Sequence, residues 1–208
     1  MVIFLLFVLL SYLLGSISGS LLLGKFNNID IRTLGSGNAG GTNALRSVGP
    51  LFALGTIIID ILKGYLPIVI FSIYLPDHIN INMAQIIFGF FAVLGHVYPI
   101  FYNFKGGKGA ATLIGVVLAI FPYSFPFVLM CWLLIVIFTG FVGLSTILAG
   151  LSLVVVTYLK YPPTLFSEFG YFTIAVSLFL IYTHRENISR MLSGKENQFK
   201  KIIIFKKK

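Results

Sequence analysis

Charge is scarce in this 208-residue chain, with 15 Lys and Arg, six Asp and Glu, and charged residues making up only 10% of the total. Ordinary soluble domains carry roughly a quarter. So few charges cannot cover a water-facing surface. A soluble enzyme, a disordered tail and a nucleic-acid-binding domain are therefore excluded as readings of the whole chain. With only six carboxylates, a site built on several divalent cations is a poor expectation. The single cysteine, Cys131, lies in an apolar run, which excludes a disulfide framework and a thiolate metal site. Apolar bulk is what remains: 58% hydrophobic residues, 21 Phe and a mean hydropathy of +0.99. This is an integral membrane protein, and its apolar runs have the length of spanning helices.

The net charge of +9 is unevenly placed. Residues 184–208 hold eight of the 15 cations, segment 24–50 adds Lys25, Arg32 and Arg46, and segment 102–112 adds Lys105 and Lys108. By the positive-inside rule all three segments are cytoplasmic. Apolar runs suited to spanning are Val2–Leu23, Leu51–Leu75, Met83–Phe101, Phe141–Leu159 and Phe169–Thr183. A further apolar stretch, Ala110–Thr139, is interrupted by Pro122 and Pro126 and is either one kinked helix or two short ones. An even number of crossings must separate each pair of cytoplasmic segments, which favours two. The expectation is thus an all-α polytopic bundle of seven transmembrane helices, N-terminus outside and C-terminus cytoplasmic. A five-span version keeps the same odd parity. The first run reads as a retained helix rather than a cleaved signal, because no Lys or Arg precedes it. Ser11, Gly15 and Gly19 give it a small face for close packing. The basic end, Lys200–Lys208, suits anionic lipid headgroups rather than nucleic acid.

Polar residues collect in four places. Gly35-Ser36-Gly37-Asn38-Ala39-Gly40-Gly41-Thr42-Asn43-Ala44-Leu45-Arg46 offers glycine-freed backbone amides, neutral hydrogen-bonding groups and a bidentate cation, a combination suited to phosphate. Phe104-Lys105-Gly106-Gly107-Lys108-Gly109-Ala110-Ala111-Thr112 places two ammonium groups and bare amides at the start of a helix. It is not a Walker A loop, because Gly109 follows Lys108 and Tyr102 stands where Gly is required. Within the apolar runs, Asp60 and Lys63 can pair at i,i+3, and His96 lies near a helix end. Finally, His184-Arg185-Glu186-Asn187-Ile188-Ser189-Arg190 would place His184 and Asn187 on one helical face, with Glu186 and Arg190 paired. Gly, Lys, Arg, His and Asn clusters with few acids describe a phosphate-bearing substrate held without metal, beside an apolar space able to take a lipid chain.

These motifs, in this order, resemble the acyl-phosphate-dependent glycerol-3-phosphate acyltransferases of bacterial phospholipid synthesis. The resemblance runs through Gly35–Arg46, Asp60–Gly64, Gly95–Pro99, Phe104–Thr112, His184–Asn187 and Gly194-Lys195-Glu196. Two departures stand out. Ala39 and Gly41 replace the Pro and Ala of the usual GSGNPGATN, and Ser18 stands where a Pro is expected. The resemblance implies one acyltransferase domain over 1–208, multi-pass in the bacterial cell membrane, with its active-site loops facing the cytoplasm and a basic tail from about 184. It implies acyl transfer from acyl phosphate to the 1-hydroxyl of glycerol 3-phosphate, giving 1-acylglycerol 3-phosphate and inorganic phosphate. It implies no cofactor or metal, membrane lipid as surroundings, and neither coenzyme A nor acyl carrier protein as direct donor. Carried over by position, Ser36, Arg46, His184 and Asn187 are the catalytic candidates. Gly35, Gly37, Asn38, Thr42, Asn43, Lys63, His96, Lys105, Gly106, Gly107, Lys108, Gly109 and Thr112 are the substrate-binding candidates, and Glu186 is structural.

One negative sign agrees: none of the three His residues is followed by the Asp of an HxxxxD acyltransferase. The proton acceptor is either His184 or the donor's own phosphate, the latter preferred because no acid is placed to orient a histidine. Ser36 as an acyl-enzyme nucleophile ranks below both. The competing class is a transporter of a phosphorylated solute, disfavoured because the polar clusters gather on one side and no inverted repeat is visible.

Overall fold

The computed structural model describes residues 1–160, 167–200 and 203. Most of the basic end expected at 200–208 lies outside them. The described residues form ten α-helices and no strand: α1 (Val2–Gly15), α2 (Gly19–Asn27), α3 (Gly41–Ser47), α4 (Pro50–Ile73), α5 (Ile81–Val97), α6 (Ala110–Ile120), α7 (Phe125–Thr139), α8 (Val142–Lys160), α9 (Glu168–Thr183) and α10 (Arg185–Leu192). They divide into two compact units, Met1–Pro122 and Tyr123–Lys208.

Small residues let the helices of the first unit approach closely. A Cβ on Gly15 would collide with the Ala92 backbone of α5, and one on Gly95 with Tyr12 and Gly15 of α1. Gly19, last of the expected small face, lies on Thr56 of α4 in the same way. The α4–α6 crossing is equally close, with Gly64 against Thr112 and Gly115 against Ile61. Phe7 of α1 stacks on Phe71 of α4 at 4.7 Å, and Phe88 of α5 meets both edge-on at 6.2 and 5.9 Å.

The first apolar run departs from the expected continuous helix. It bends by 48° between α1 and α2, with no proline at the break. Two helix-terminal groups, the Ile17 carbonyl and the Gly19 amide, fall outside the intrahelical ladder and cannot stay unpaired in an apolar interior. Both are met from α4. Lys63 Nζ donates to Ile17 O at 2.8 Å, the Gly19 amide donates to Asp60 Oδ1 at 3.1 Å, and Asp60 and Lys63 pair at 3.0 Å. The i,i+3 pair thus serves as the joint of a broken helix; Asp60, Lys63 and Gly19 are buried and Ile17 is half-buried.

In the second unit, Trp132 Nε1 donates to Thr146 Oγ1 between α7 and α8 at 3.3 Å, and Ser177 Oγ of α9 donates to Gly150 O of α8 at 2.7 Å. The interruption expected at Pro122–Pro126 is present: α6 ends at Ile120, and α7 begins at Phe125 with Pro126 in its first turn. By length and hydropathy, residues 50–73, 81–102, 122–139 and 142–159 can cross a membrane, and the bent α1–α2 pair has the length and hydropathy of a fifth, broken span or of a re-entrant loop. The apolar helices α6 and α9 have only 11 and 16 residues, about 16 and 24 Å against a hydrocarbon core of about 30 Å. The chain is an all-helical integral membrane protein.

Candidate functional site

The glycine-rich segment 35–46 runs into α3 over an apolar base of Ile31, Ala39 and Ala44, buried with Leu21 and Ala53. Gly35 and Gly37 have φ of +56° and +72°, the left-handed region that glycine adopts without strain. The buried Asn43 organises the loop. Its Oδ1 accepts from the Ser36 amide at 2.9 Å, and its Nδ2 donates to the carbonyls of Ile31, Leu34 and Asn38 at 3.1, 2.9 and 3.1 Å. Asn43 thus commits its whole amide to the loop's own framework. Ser36 and Arg46 are exposed, while Asn38 and Thr42 are half-buried.

The lysine–glycine loop lies back on the end of α5. The Gly106 amide donates to Val97 O at 3.2 Å and the Gly107 amide to His96 O at 3.1 Å. These two amides are therefore engaged within the chain rather than bare, as the spacing had suggested. The amides of Ala110, Ala111 and Thr112 precede the first intrahelical bond of α6, Leu113 N to Gly109 O at 2.8 Å, and form its positive end. What Gly106 and Gly107 supply is close approach. A Cβ on Gly106 would strike His96 O, and one on Gly107 would strike the His96 ring and the Ala39 carbonyl. The two glycine loops therefore touch at Ala39 and Gly107. Lys105 is exposed and Lys108 half-buried. Just before them, Asn103 and Phe104 have φ of 54° and 58°, consecutive non-glycine residues in the left-handed region. Such strain persists only where the surroundings enforce it.

Three substrate-binding candidates stand behind these loops. His96 is buried with Nδ1 3.5 Å from Asp60 Oδ1. Lys63 is buried in the α1–α2 joint, and Thr112 is fully buried at the α4–α6 crossing. One feature escaped the sequence reading: Arg32 chelates Asp30, with bonds of 3.0, 3.2 and 2.8 Å, and its Nη1 reaches Tyr102 O at 3.5 Å. Hydrogen bonds from Arg32 hold the Asp30 carboxyl below its ordinary range. Opposite charges two residues apart in a turn were the only available signal.

In the second unit, α9 ends at Thr183, and His184 lies between it and α10. His184 is buried, with Nδ1 2.9 Å from Leu180 O and 3.3 Å from Thr183 Oγ1. A carbonyl can only accept, so Nδ1 carries the proton and Nε2 is the basic nitrogen of the neutral ring. Asn187 packs on Gly143 of α8 and donates from Nδ2 to Glu196 Oε1 at 2.8 Å. Arg190 Nε donates to Glu196 Oε2 at 2.7 Å. The expected Glu186–Arg190 pair is looser, at 3.9 Å, and the Glu186 side chain is 66% exposed against 4% for Glu196. The buried carboxylate of this segment is Glu196, carried back to α10 by a turn in which Gly194 has φ of +68°.

The fold and these loops define a polytopic helical membrane protein in which two glycine-rich loops bearing cations meet at Ala39 and Gly107. The glycerol-3-phosphate acyltransferase family model matches residues 5–194. The chain belongs to that family. Similar glycerol-3-phosphate acyltransferases include those of Methylobacillus flagellatus (41% identical, over 94% of this chain and 96% of that protein), Endomicrobium trichonymphae (39%, over 100% of both) and Aquifex aeolicus (37%, over 92% and 97%). Among solved structures, the chain is similar to PlsY (YgiH), an integral membrane glycerol 3-phosphate acyltransferase. Its glycerol 3-phosphate form aligns with a TM-score of 0.85 at 36% identity, and its lysophosphatidic acid form with 0.83 at 35%. Both alignments cover 94% of this chain and 95% of the other.

Proposed function

We propose that this protein transfers a fatty acyl group from acyl phosphate to the 1-hydroxyl of glycerol 3-phosphate, releasing 1-acylglycerol 3-phosphate and inorganic phosphate. The observation that carries the reading is the meeting of the two glycine loops at Ala39 and Gly107. It gathers the segments bearing Arg46, Lys105 and Lys108 within one unit, a setting for substrates that each carry a phosphate. An acyl phosphate is already activated. The residues then need to align the hydroxyl with the carbonyl carbon and neutralise charge on the departing phosphate. The hydroxyl oxygen forms the new ester bond, the bond between the acyl carbon and the phosphate oxygen breaks, and the hydroxyl proton leaves with the phosphate. His184 Nε2 is the second candidate for that proton.

Arg46, Lys105 and Lys108 are assigned to the phosphates, and Ser36 to orienting substrate. Gly35, Gly37, Asn38 and Thr42 shape the first loop, and Gly106, Gly107 and Gly109 the second. Asn43, Lys63, His96 and Thr112 act as supports behind them. His184 and Asn187 are assigned to substrate positioning. Glu196, rather than Glu186, is the structural acid. Seven crossings, counting α6 and α9 as short spans, put the N-terminus outside and the loops and C-terminus in the cytoplasm.

The experiment is product formation by the purified protein from labelled glycerol 3-phosphate, with acyl phosphate or acyl-coenzyme A as donor and no added metal. Lysophosphatidate and phosphate made only from acyl phosphate is the expected result. Product made only from acyl-coenzyme A refutes the donor assignment.

A further inference from the structure

Asp60 is assigned no part in the reaction above, yet it is the most fully enclosed charge among the described residues, with a side chain 1% exposed. Its Oδ1 receives the Gly19 amide, faces Lys63 Nζ at 3.0 Å and lies 3.5 Å from His96 Nδ1. The same His96 ring is the surface on which Gly107 lies, and the His96 carbonyl accepts the Gly107 amide at 3.1 Å. Beyond Gly107 comes the Ala39 carbonyl of the first loop. A series of contacts therefore runs from Asp60 through His96 to Gly107 and on to Ala39. Each member is buried, so a shift of the ring has no solvent to relax into and must be passed to the loop backbone. A histidine ring packed against a glycine has one orientation in which the loop can sit, and the Asp60 carboxylate, 3.5 Å from its other nitrogen with no hydrogen bond formed between them, favours it by charge.

We infer that Asp60 is a positioning residue for glycerol 3-phosphate, acting through the His96 ring on the backbone of Gly106–Gly107. This rests on the proposal that the lysine–glycine loop receives that substrate. A purely structural Asp60, serving only as the counter-ion of Lys63, would also be harmful to lose, so the test must separate the two roles. Asp60→Asn leaves the Lys63 ammonium buried without an anion and should lower Tm. Adding Lys63→Met removes the stranded charge at the cost of the donor to the Ile17 carbonyl, while the amide at position 60 still offers the Gly19 N–H an acceptor.

Tm, equilibrium binding of labelled glycerol 3-phosphate, its KM, and amide exchange over residues 105–109 are measured on the full-length purified protein. In Asp60→Asn/Lys63→Met, Tm recovers only the part of the loss due to the stranded charge, but glycerol 3-phosphate still binds on the order of tenfold more weakly than to wild type and exchange at 105–109 stays fast. Adding His96→Gln to that pair weakens binding no further, because the contact through the ring is already lost. The inference is overturned if binding recovers in step with Tm, or if His96→Gln adds its full separate effect. A wild-type protein that binds no glycerol 3-phosphate overturns the loop assignment itself, and the inference with it. Normal wild-type binding with undiminished binding in the double variant overturns the inference alone.

Discussion

Asn43→Asp is nearly isosteric and should still be severe. In the native loop, Nδ2 faces three carbonyl oxygens at 3.1, 2.9 and 3.1 Å. The substitution removes two N–H donors, each worth about 1 kcal/mol net. It also sets a buried carboxylate oxygen against those carbonyls, for a total of about 3–5 kcal/mol. Asn43→Ala loses the same donors and the acceptor for Ser36 N, but strands no charge. Its cost should be smaller, about 2–3 kcal/mol. The expected order of stability is wild type, then Ala, then Asp. Thermal unfolding in lipid–detergent micelles and amide exchange over residues 31–47 give the ranking, and kcat/KM for glycerol 3-phosphate should follow it. An Asp variant as stable as wild type, or more stable than Ala, would refute the claim that this side chain acts as a donor to the loop.

Three further predictions follow from the site. Gly107→Ala drives a methyl group into the His96 ring and the Ala39 carbonyl. An overpacking cost of about 1–3 kcal/mol, felt at the loop, should raise the KM for glycerol 3-phosphate from about fivefold to over a hundredfold while leaving the helical circular dichroism intact. Glu196→Gln deprives Arg190 of its buried partner and should cost about 1.5–3 kcal/mol, against under about 0.5 for Glu186→Gln at its exposed position; equal losses of Tm would show that Glu196 is not the anchor. Arg32 depresses the folded-state pKa of Asp30. That pair's contribution is therefore complete above the unfolded carboxylate value of about 3.9 and disappears as pH falls through the folded value. Solvent exposure keeps it under about 1 kcal/mol. Protection of the amides across 30–34, taken relative to the intrinsic exchange rate at each pH, should be constant above about pH 4 and fall as pH drops below it, less so in high salt, and Asp30→Asn should remove the pH difference.

Much of the molecule could be read from residue order alone, because the properties involved are local. Hydropathy over windows of helix length is set by composition, so the membrane class and helical content follow without any fold. Pro122 and Pro126 interrupt a helix wherever it packs, and α6 and α7 separate there. Ser11 and Gly15 share a helical face by the 3.6-residue period, and Gly15 is used in close packing on α5, whereas Gly19, beyond the bend, packs on α4 instead. The glycine, lysine and arginine motifs, apart from Ala39 and Gly41, resemble the family pattern and point to a phosphate substrate.

Tertiary structure decided what depends on partners far apart in the chain. The break after Gly15 has no local cause visible in Ser16-Ile17-Ser18 and is tolerated because Asp60 and Lys63, more than 40 residues away, satisfy the backbone groups it leaves open. Whether Gly106 and Gly107 offer amides to an anion or lie against His96 depends on where α5 ends in space. Glu186 and Glu196 are alike as residues and both lie near Arg190 in the chain. Only the turn at Gly194 folds one of them under α10 and leaves the other in the open. A sequence records which polar groups are present, but burial decides which of them must find partners, and burial is a property of the packed chain.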